Sequence, residues 1–473
     1  MLGHNGITQA QAEMFSNGWD GAVMEDGYSM LMKALEAGSG ADASTFTGGR
    51  SLIPESLDTT LVSVLWNQNE AKLFKALKRN SIKSPVHQWN KRDDVGDEDG
   101  AWVAEGGVSF EKNQAIARKF VEAKYLQTLR KVTLQMLASN SLENAEAIEK
   151  EAGALWIIKQ IERALFQGDS SIITEQPDGL KVLIPDSNVI DLRGEDGTSA
   201  DMEDAWGEGA RIIRDNYGMV SDAYMPTFAM EDVQKLLRDR LRVPAGGNEN
   251  TNAGAYVYKK YPTPFGTFTL EDNLFIDGNN VLQRPSTLTA QRPDQPSITL
   301  TRQAASGGRV SEFTDDDAGD YYYQVVAVNK FGDSVASAAV QVTGVVAGDE
   351  VKISVTDGAI AGTGYKIYRS RKDASDGSDC RLMSTVVNPG GGPSLVYDVN
   401  SDLPNTMSIY MLNMIPQYNA IEWEQWLPTM KFQLYPTNAA VNPFLMLLFG
   451  VLGLKKEEQM VRIKNVSYSR DKW

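Results

Sequence analysis

An α+β body interrupted by an all-β sandwich is the fold class this sequence predicts, and three observations predict it. Residues 140–168, "NSLENAEAIEKEAGALWIIKQIERALFQG", hold apolar side chains at helical spacing over about 25 positions, nearly 40 Å at ~1.5 Å per residue. Between 180 and 283 short apolar runs alternate with amphipathic segments, as expected of a sheet with helices packed on it. From 285 to 406 the composition shifts toward Pro, Thr and Gln, and alternating strands recur at short intervals before the earlier style resumes. The sandwich therefore reads as an insertion within a domain that closes after it.

Taken in order, residues 8–37 show helical periodicity broken at Gly18 and Gly21, and "AGSGADASTFTGG" (37–49) reads as a linker. Leu57, Leu61, Val64 and Leu65 then share a helical face. Residues 81–127 have extended flanks around a Gly/Asp/Glu-rich centre, the pattern of a long β-hairpin with an acidic tip at "DDVGDEDG" (93–100). That tip fails the calcium-loop pattern, because a loop beginning at Val95 has Gly106 where the twelfth ligand should be Glu. The long helix opens on Asn140 with Glu143 three residues on, a capping-box arrangement, and closes at Gly168. "KVLIP" (181–185) and "NVIDL" (188–192) read as strands, and "MEDAWGEGARIIRDNYG" (202–218) as a helix. "SDAYMPTFAM" (221–230) gives a strand and turn, "EDVQKLLRDRLR" (231–242) a helix and "TPFGTFTLEDNLFID" (263–277) a strand.

Within the insertion, Ser297–Leu300, Tyr321–Val328, Ala338–Val345, Val351–Val355, Tyr365–Tyr368 and Leu395–Tyr397 are the expected strands. The stretch "GDYYYQVVAVNKFGDSVAS" (319–337) resembles a strand and turn of a fibronectin type III or immunoglobulin-like sandwich. Tyr323, Val325, Ala327 and Asn329 alternate along it, and Gly332 sits where the turn is needed. Afterwards "QYNAIEWEQWLPTMKFQLYP" (417–436) is strand-like, "PFLMLLFGVLGL" (443–454) is buried helix or strand, and "MVRIKNVSYSR" (460–470) is a closing strand. The apolar run is too short for a membrane span of about 20 residues.

Composition excludes several function classes. In 473 residues, 42% are hydrophobic and 23% charged, which is globular, and the net charge of −16 argues against a general nucleic-acid binder. The N-terminal stretch lacks the basic start and apolar core of a secretory signal, and a single cysteine, Cys380, permits no internal disulfide. With only His4 and His87, histidine-based triads and His-rich metal sites are all but removed. Cys380 has no histidine downstream, and "GTGYKIYRS" is followed by a strand where a dinucleotide fingerprint needs a helix. Acidic pairs are too numerous to single out a glycosidase couple, and Trp89, Trp102, Trp423 and Trp426 read first as core or interface aromatics rather than a sugar platform. No catalytic residue, metal ligand or cofactor is expected.

The order of elements resembles the major capsid protein of tailed double-stranded DNA phages, the Hong Kong 97-type fold, and more closely the capsid proteins of large myophages of the Twort and SPO-type group. "SLDTTLVSVLWNQNEAKLFKAL", "ARKFVEAKYLQTLRKVTLQML", "ALFQGD", "SDAYMPTFAMEDV" and "VRIKNVSY" carry the resemblance, in that order. It implies an N-terminal arm (1–80), an extended loop (81–127), a peripheral domain with the spine helix (128–199) and an axial domain (200–284). The immunoglobulin-like insertion (285–406) would decorate the outer surface, 407–455 would return to the axial and peripheral domains, and 456–473 would close the peripheral one. The implied function is self-assembly into hexamers and pentamers of an icosahedral virion head, built in the host cytoplasm and enclosing DNA without sequence-specific contacts. Implied partners are further copies of the chain, a portal, scaffolding and a maturation protease, and an accessory or decoration protein, with no membrane. From position and residue type, Trp89, Trp102, Trp156, Phe444, Leu447 and Phe449 are the expected subunit-interface residues. Lys91 and Lys112 lie in or near the hairpin where some members form isopeptide cross-links, but nothing in the sequence marks a matching Asn. The rival reading is a secreted or surface carbohydrate-active protein with a fibronectin-like module. A cytoplasmic scaffold protein is a third.

Overall fold

The computed structural model describes residues 70–92, 101–108, 111–138, 145–238, 259–276, 280–390, 392–436 and 440–470. The expected N-terminal helix and linker, the Asn140/Glu143 cap and the acidic tip 93–100 lie outside these residues. The described fold is α+β. Its elements are helix α1 (Lys72–Ala76), strands β1 (Arg79–Ser81), β2 (Val86–Arg92), β3 (Ile116–Glu122) and β4 (Lys124–Thr133), then helices α2 (Leu134–Ala138), α3 (Ala145–Gln167) and α4 (Leu180–Leu183). Strand β5 (Val189–Asp191), helix α5 (Ala200–Asp215), strand β6 (Asp222–Met225), helix α6 (Thr227–Arg238) and strands β7 (Lys260–Thr263) and β8 (Gly266–Asp272) follow. Next come β9 (Ser297–Ala304), β10 (Gly319–Asn329), β11 (Gly332–Asp333), β12 (Val340–Val345), β13 (Asp349–Thr356), β14 (Gly364–Arg369), β15 (Arg381–Val387) and β16 (Ser394–Asp398). The chain ends with β17 (Met407–Leu412), β18 (Ile421–Gln433), β19 (Val441–Leu454) and β20 (Val461–Val466).

Helix α3 lies on a four-stranded sheet ordered β1-β18-β19-β4. Its Ile157, Ile161, Leu165 and Phe166 enter one core with Phe444, Met446, Leu448 and Leu452 of β19 and with Leu73 and Phe74 of α1. The helix stops at Gly168, but through close contact rather than a left-handed turn. A Cβ there would sit 2.2 Å from the Pro177 carbonyl oxygen, and the Gly179 N–H donates to the Gly168 carbonyl at 2.9 Å. That closure also decides the fate of "KVLIP", which forms the single turn α4 rather than the expected strand. Leu180 of this turn and Ile184 just after it are buried at helical spacing, and the Val182 and Leu183 amides both donate to the Gly179 carbonyl.

A six-stranded sheet, ordered β5-β20-β17-β6-β8-β7, forms a second core with α5 and α6. Trp206 and Ile213 of α5 and Ala229 and Val233 of α6 pack there on Ala223, Phe268, Ile409, Met411 and Ile463. Ser199 caps α5, its hydroxyl accepting from the Asp201 N–H at 3.1 Å. β17, on the far side of the insertion, pairs with β6 (Tyr410 opposite Tyr224), and β20 pairs with β17. The final strand therefore lies in this sheet and not in the one beneath α3, whereas the apolar run 443–454 forms β19, beneath α3.

Between β8 and β17 the chain builds two facing sheets, β11-β10-β14-β15 with β12 beside β10, and β16-β13-β9. Tyr323, Val325 and Ala327 point into the core between them, against Val351, Ile353 and Val355. Val326 is buried as well, on the opposite face with Tyr368 and Cys380, so strict alternation of burial fails along β10. Gly332 turns the chain at φ +116°, where a side chain would also strike Ser286. Strand β15, absent from the sequence reading, is half-buried along most of its length and so shows no alternation. At the core's end Arg369 and Asp398, both almost fully buried, pair at 2.7 Å, and the Tyr323 hydroxyl donates to the same carboxylate at 2.7 Å.

On β13, Glu350 accepts from Arg309 Nε and Nη2 (2.7 and 2.9 Å) and from Gln303 Nε2 (2.6 Å). The Arg309 guanidinium foremost holds this carboxyl down at about 2, against 4.5 for a free one. A depressed acid stabilises the fold above its unfolded pKa, and that contribution is lost as pH falls through the folded value. Thermal midpoints should therefore fall between about pH 4.5 and pH 2, and Glu350→Gln should be less stable at neutral pH with a shallower slope in that window. Calorimetry across the acid range measures both.

Candidate assembly surface

With α3 on one face of the four-stranded sheet, the pleat sends the alternate side chains of β4, β18 and β19 to the other face. Register places Tyr125 opposite Phe449, Leu129 opposite Leu445, and Leu445 opposite Phe432, so these five side chains share that outer face. Trp426 joins them, with ring centroids 5.9 Å from both Phe449 and Tyr125, which are themselves 4.9 Å apart. Tyr125 and Leu129 are 55% and 61% exposed and Phe432 is 49% exposed. A contiguous apolar band of this kind on a sheet face is a candidate contact surface.

Beside it, β2 and β3 form a separate two-stranded ribbon, in register from Val86 opposite Glu122 to Arg92 opposite Ile116. One ribbon face is turned to the body. There His87 Nε2 lies 3.5 Å from Glu424, Lys91 pairs with Glu458 and, at 3.7 Å, with Glu457, and Lys119 reaches Glu457 at 3.2 Å. The opposite face presents Ile116 and Phe120, 59% and 63% exposed. Lys91, weighed above as a cross-linking lysine, is occupied by these ion pairs.

The expected interface residues fall into three groups. Trp102 is 98% exposed, Trp156 lies partly exposed on α3, and Phe449 belongs to the outer apolar band. Trp89 is turned inward beside His87, with stacked rings 6.0 Å apart. Phe444 is a correction: it is fully buried in the core beneath α3, because an even-numbered position in β19 faces the helix. Leu447 points the other way but is only 7% exposed. Sequence reasoning missed Tyr125, Leu129, Phe120 and Phe432. In "KYLQTL" (124–129) the apolar residues fall at both odd and even positions of one strand, which signals a sheet covered on both faces.

Burial pushes the Glu422 carboxyl up, but hydrogen bonds from Lys455 and Lys78 outweigh it and hold the group below its ordinary range. Burial drives the Cys380 thiol up to about 12, leaving it almost wholly protonated at neutral pH. Among the described residues no group of three or more His, Cys, Asp or Glu could hold a metal ion, and no helix is long and apolar enough to cross a membrane.

The ribbon's ion pairs are partly exposed, so each should contribute about 0.2–1 kcal/mol. Lys91→Glu should raise amide exchange over 86–92 and 116–122 a few-fold, and Lys91→Glu with Glu458→Lys should bring it back toward the original rate. Hydrogen-exchange mass spectrometry reads the difference directly.

No protein-family model matches the sequence. Over 456 residues the chain is 25% identical to the major capsid protein of Staphylococcus phage K, a match covering 93% of this chain and 95% of that one. The same identity and coverage hold for the major capsid protein of Staphylococcus phage S25-3 and the putative major capsid protein of Enterococcus phage phiEF24C. Among solved structures, the capsid of a native GTA particle aligns with a TM-score of 0.48 and 9% identity over 90% of this chain and 100% of that one.

Proposed function

We infer that this chain is a major capsid protein, the repeating unit of a phage virion head. The observation that carries this reading is a likeness to phage major capsid proteins that runs over nearly the whole of both chains. The rival reading, a carbohydrate-active protein, finds no support in those relatives. Mechanistically, the protein acts by presenting surfaces that bury only against other copies of itself.

In finer detail, the reading is a Hong Kong 97-type subunit. Residues 1–80 form the arm, and 81–127 the extended loop whose flanks are the β2–β3 ribbon. The peripheral part is α3 with its four-stranded sheet, and the axial part is the six-stranded sheet with α5 and α6, which also takes the closing strand β20. The two-sheet module between β8 and β17 is an immunoglobulin-like insertion facing outward. Copies join as hexamers and pentamers through the outer apolar band and the exposed ribbon face. A portal, a scaffold with its protease, and a decoration protein complete the set of partners. The acidic balance of the chain suits a container, since an anionic lining does not hold incoming DNA by counterion release.

The test is assembly. Burying an aliphatic or aromatic side chain is worth about 1.5–3 kcal/mol, and the contact recurs in every copy. Leu129→Asp combined with Phe432→Asp should leave the folded chain's melting within a few degrees of the original. It should also raise the concentration needed to assemble by at least tenfold, by sedimentation and negative-stain electron microscopy of protein co-expressed with its neighbouring genes. Shells formed normally by the double variant would remove this face from the interface. Uniform monomers from the unmodified chain would overturn the capsid reading itself.

A further inference from the structure

A cleft of about 540 Å³ opens where the β-sandwich meets the body, walled by the last turns of α3, by β10, β14 and β15 and by β17 and β20. The chain carries 62 acidic residues against 46 basic ones, yet the walls of this cleft hold six Arg and Lys and only three Asp. Pairing removes part of that charge: Lys366 binds Asp333 at 2.7 Å, Lys330 binds Glu175 at 2.9 Å, and Asp402 lies 3.7 Å from Lys464. Three guanidinium groups remain. Arg462 Nε and Nη2 both donate to the Ser408 hydroxyl (3.2 and 3.1 Å), a neutral partner that uses only two of its five N–H donors. Among the described residues neither Arg163 nor Arg284 has an ion-pair partner. Arg163 and Arg462 are moreover half-buried, where an uncompensated charge is costly.

We propose that this cleft binds a small molecule carrying several phosphate groups. Guanidinium groups match phosphate oxygens in paired hydrogen bonds, and three of them on separate walls call for a multivalent partner rather than one carboxylate. The volume lies within the 300–1,000 Å³ typical of small-molecule sites and exceeds what one phosphate fills. Arg163 comes from α3, Arg462 from the six-stranded sheet and Arg284 from the segment leading into the sandwich, so the ligand bridges sandwich and body. A free polyphosphate and a nucleoside triphosphate share the required chemistry.

Titration of the full chain with tripolyphosphate and separately with ATP, followed by calorimetry and thermal melting, tests the site. Saturable binding of one molecule per chain with a raised melting midpoint is expected. Arg284→Gln, at an exposed position that cannot disturb the core, and Arg462→Gln should each weaken it about tenfold or more. Lys260→Gln, which changes the net charge equally on an exposed strand outside the cleft, should not. Tighter binding of ATP than of tripolyphosphate would identify a nucleotide site, and equal binding a site for the phosphate chain alone; either supports the proposal. Absence of saturable binding at millimolar ligand, or equal weakening by Lys260→Gln and Arg284→Gln, would overturn it.

Discussion

The fold turns on one buried carboxylate. Glu162 projects from α3 with no solvent exposure and accepts from the Leu73 N–H, the Phe74 N–H and Asn273 Nδ2, at 2.9, 2.9 and 2.6 Å. Burial pushes its pKa up while these donors pull it back, and the first effect is the larger. The two amides belong to the opening turn of α1, where backbone donors have no partner within the helix. Asn273 follows β8, and its own N–H donates to Met225 at the end of β6. One side chain thus ties the long helix to the start of the described chain and to the six-stranded sheet. Removing it would leave three buried donors unpaired, each costing about 1–3 kcal/mol.

With α3 held in this way, its close approach to β19 follows from Gly153, where an added Cβ would come within 2.7 Å of the Met446 sulfur. The helix fills one face of the four-stranded sheet, and on the other Tyr125, Leu129 and Phe432 stay about half exposed or more. A chain acting alone would gain by placing polar residues at Tyr125, Leu129 and Phe432. Keeping them apolar makes sense when the missing cover is supplied by another molecule, so that stability of the subunit and of the assembly are separate quantities.

Elements whose burial follows a simple period were legible in the sequence, among them α3, α5 and β13. What the sequence hid was pairing. β17 meets β6 across the insertion, and the ribbon's His87 and Lys91 find Glu424, Glu457 and Glu458 more than three hundred residues away. The apolar run 443–454 read as one block, yet Phe444 and Phe449 face opposite ways, and only the position of α3 decides which of them is core. The basic cleft was invisible for the same reason: Arg163, Arg284 and Arg462 are isolated in sequence and converge only when both sheets and the sandwich are in place.

The sandwich itself shows how so large an insertion leaves the body undisturbed. Its two connections lie side by side, with Asn280 Nδ2 donating to the Thr406 carbonyl at 3.3 Å. A break whose ends already touch need not strain the strands on either side, and β8 and β17 still flank β6 in one sheet. The module also brings its own core and its own buried Arg369–Asp398–Tyr323 network, so its folding asks little of the body. Contacts back to the body are polar as well as apolar: Arg193 reaches Glu312 at 2.6 Å and the Asn400 carbonyl at 2.8 Å, Lys330 reaches Glu175, and Ile172 packs on Gly364. Polar contacts of this kind hold an orientation without committing much apolar area. The basic cleft sits at that same joint. A ligand bound there would bridge the two, holding the angle between the sandwich and the body as well as stabilising the fold.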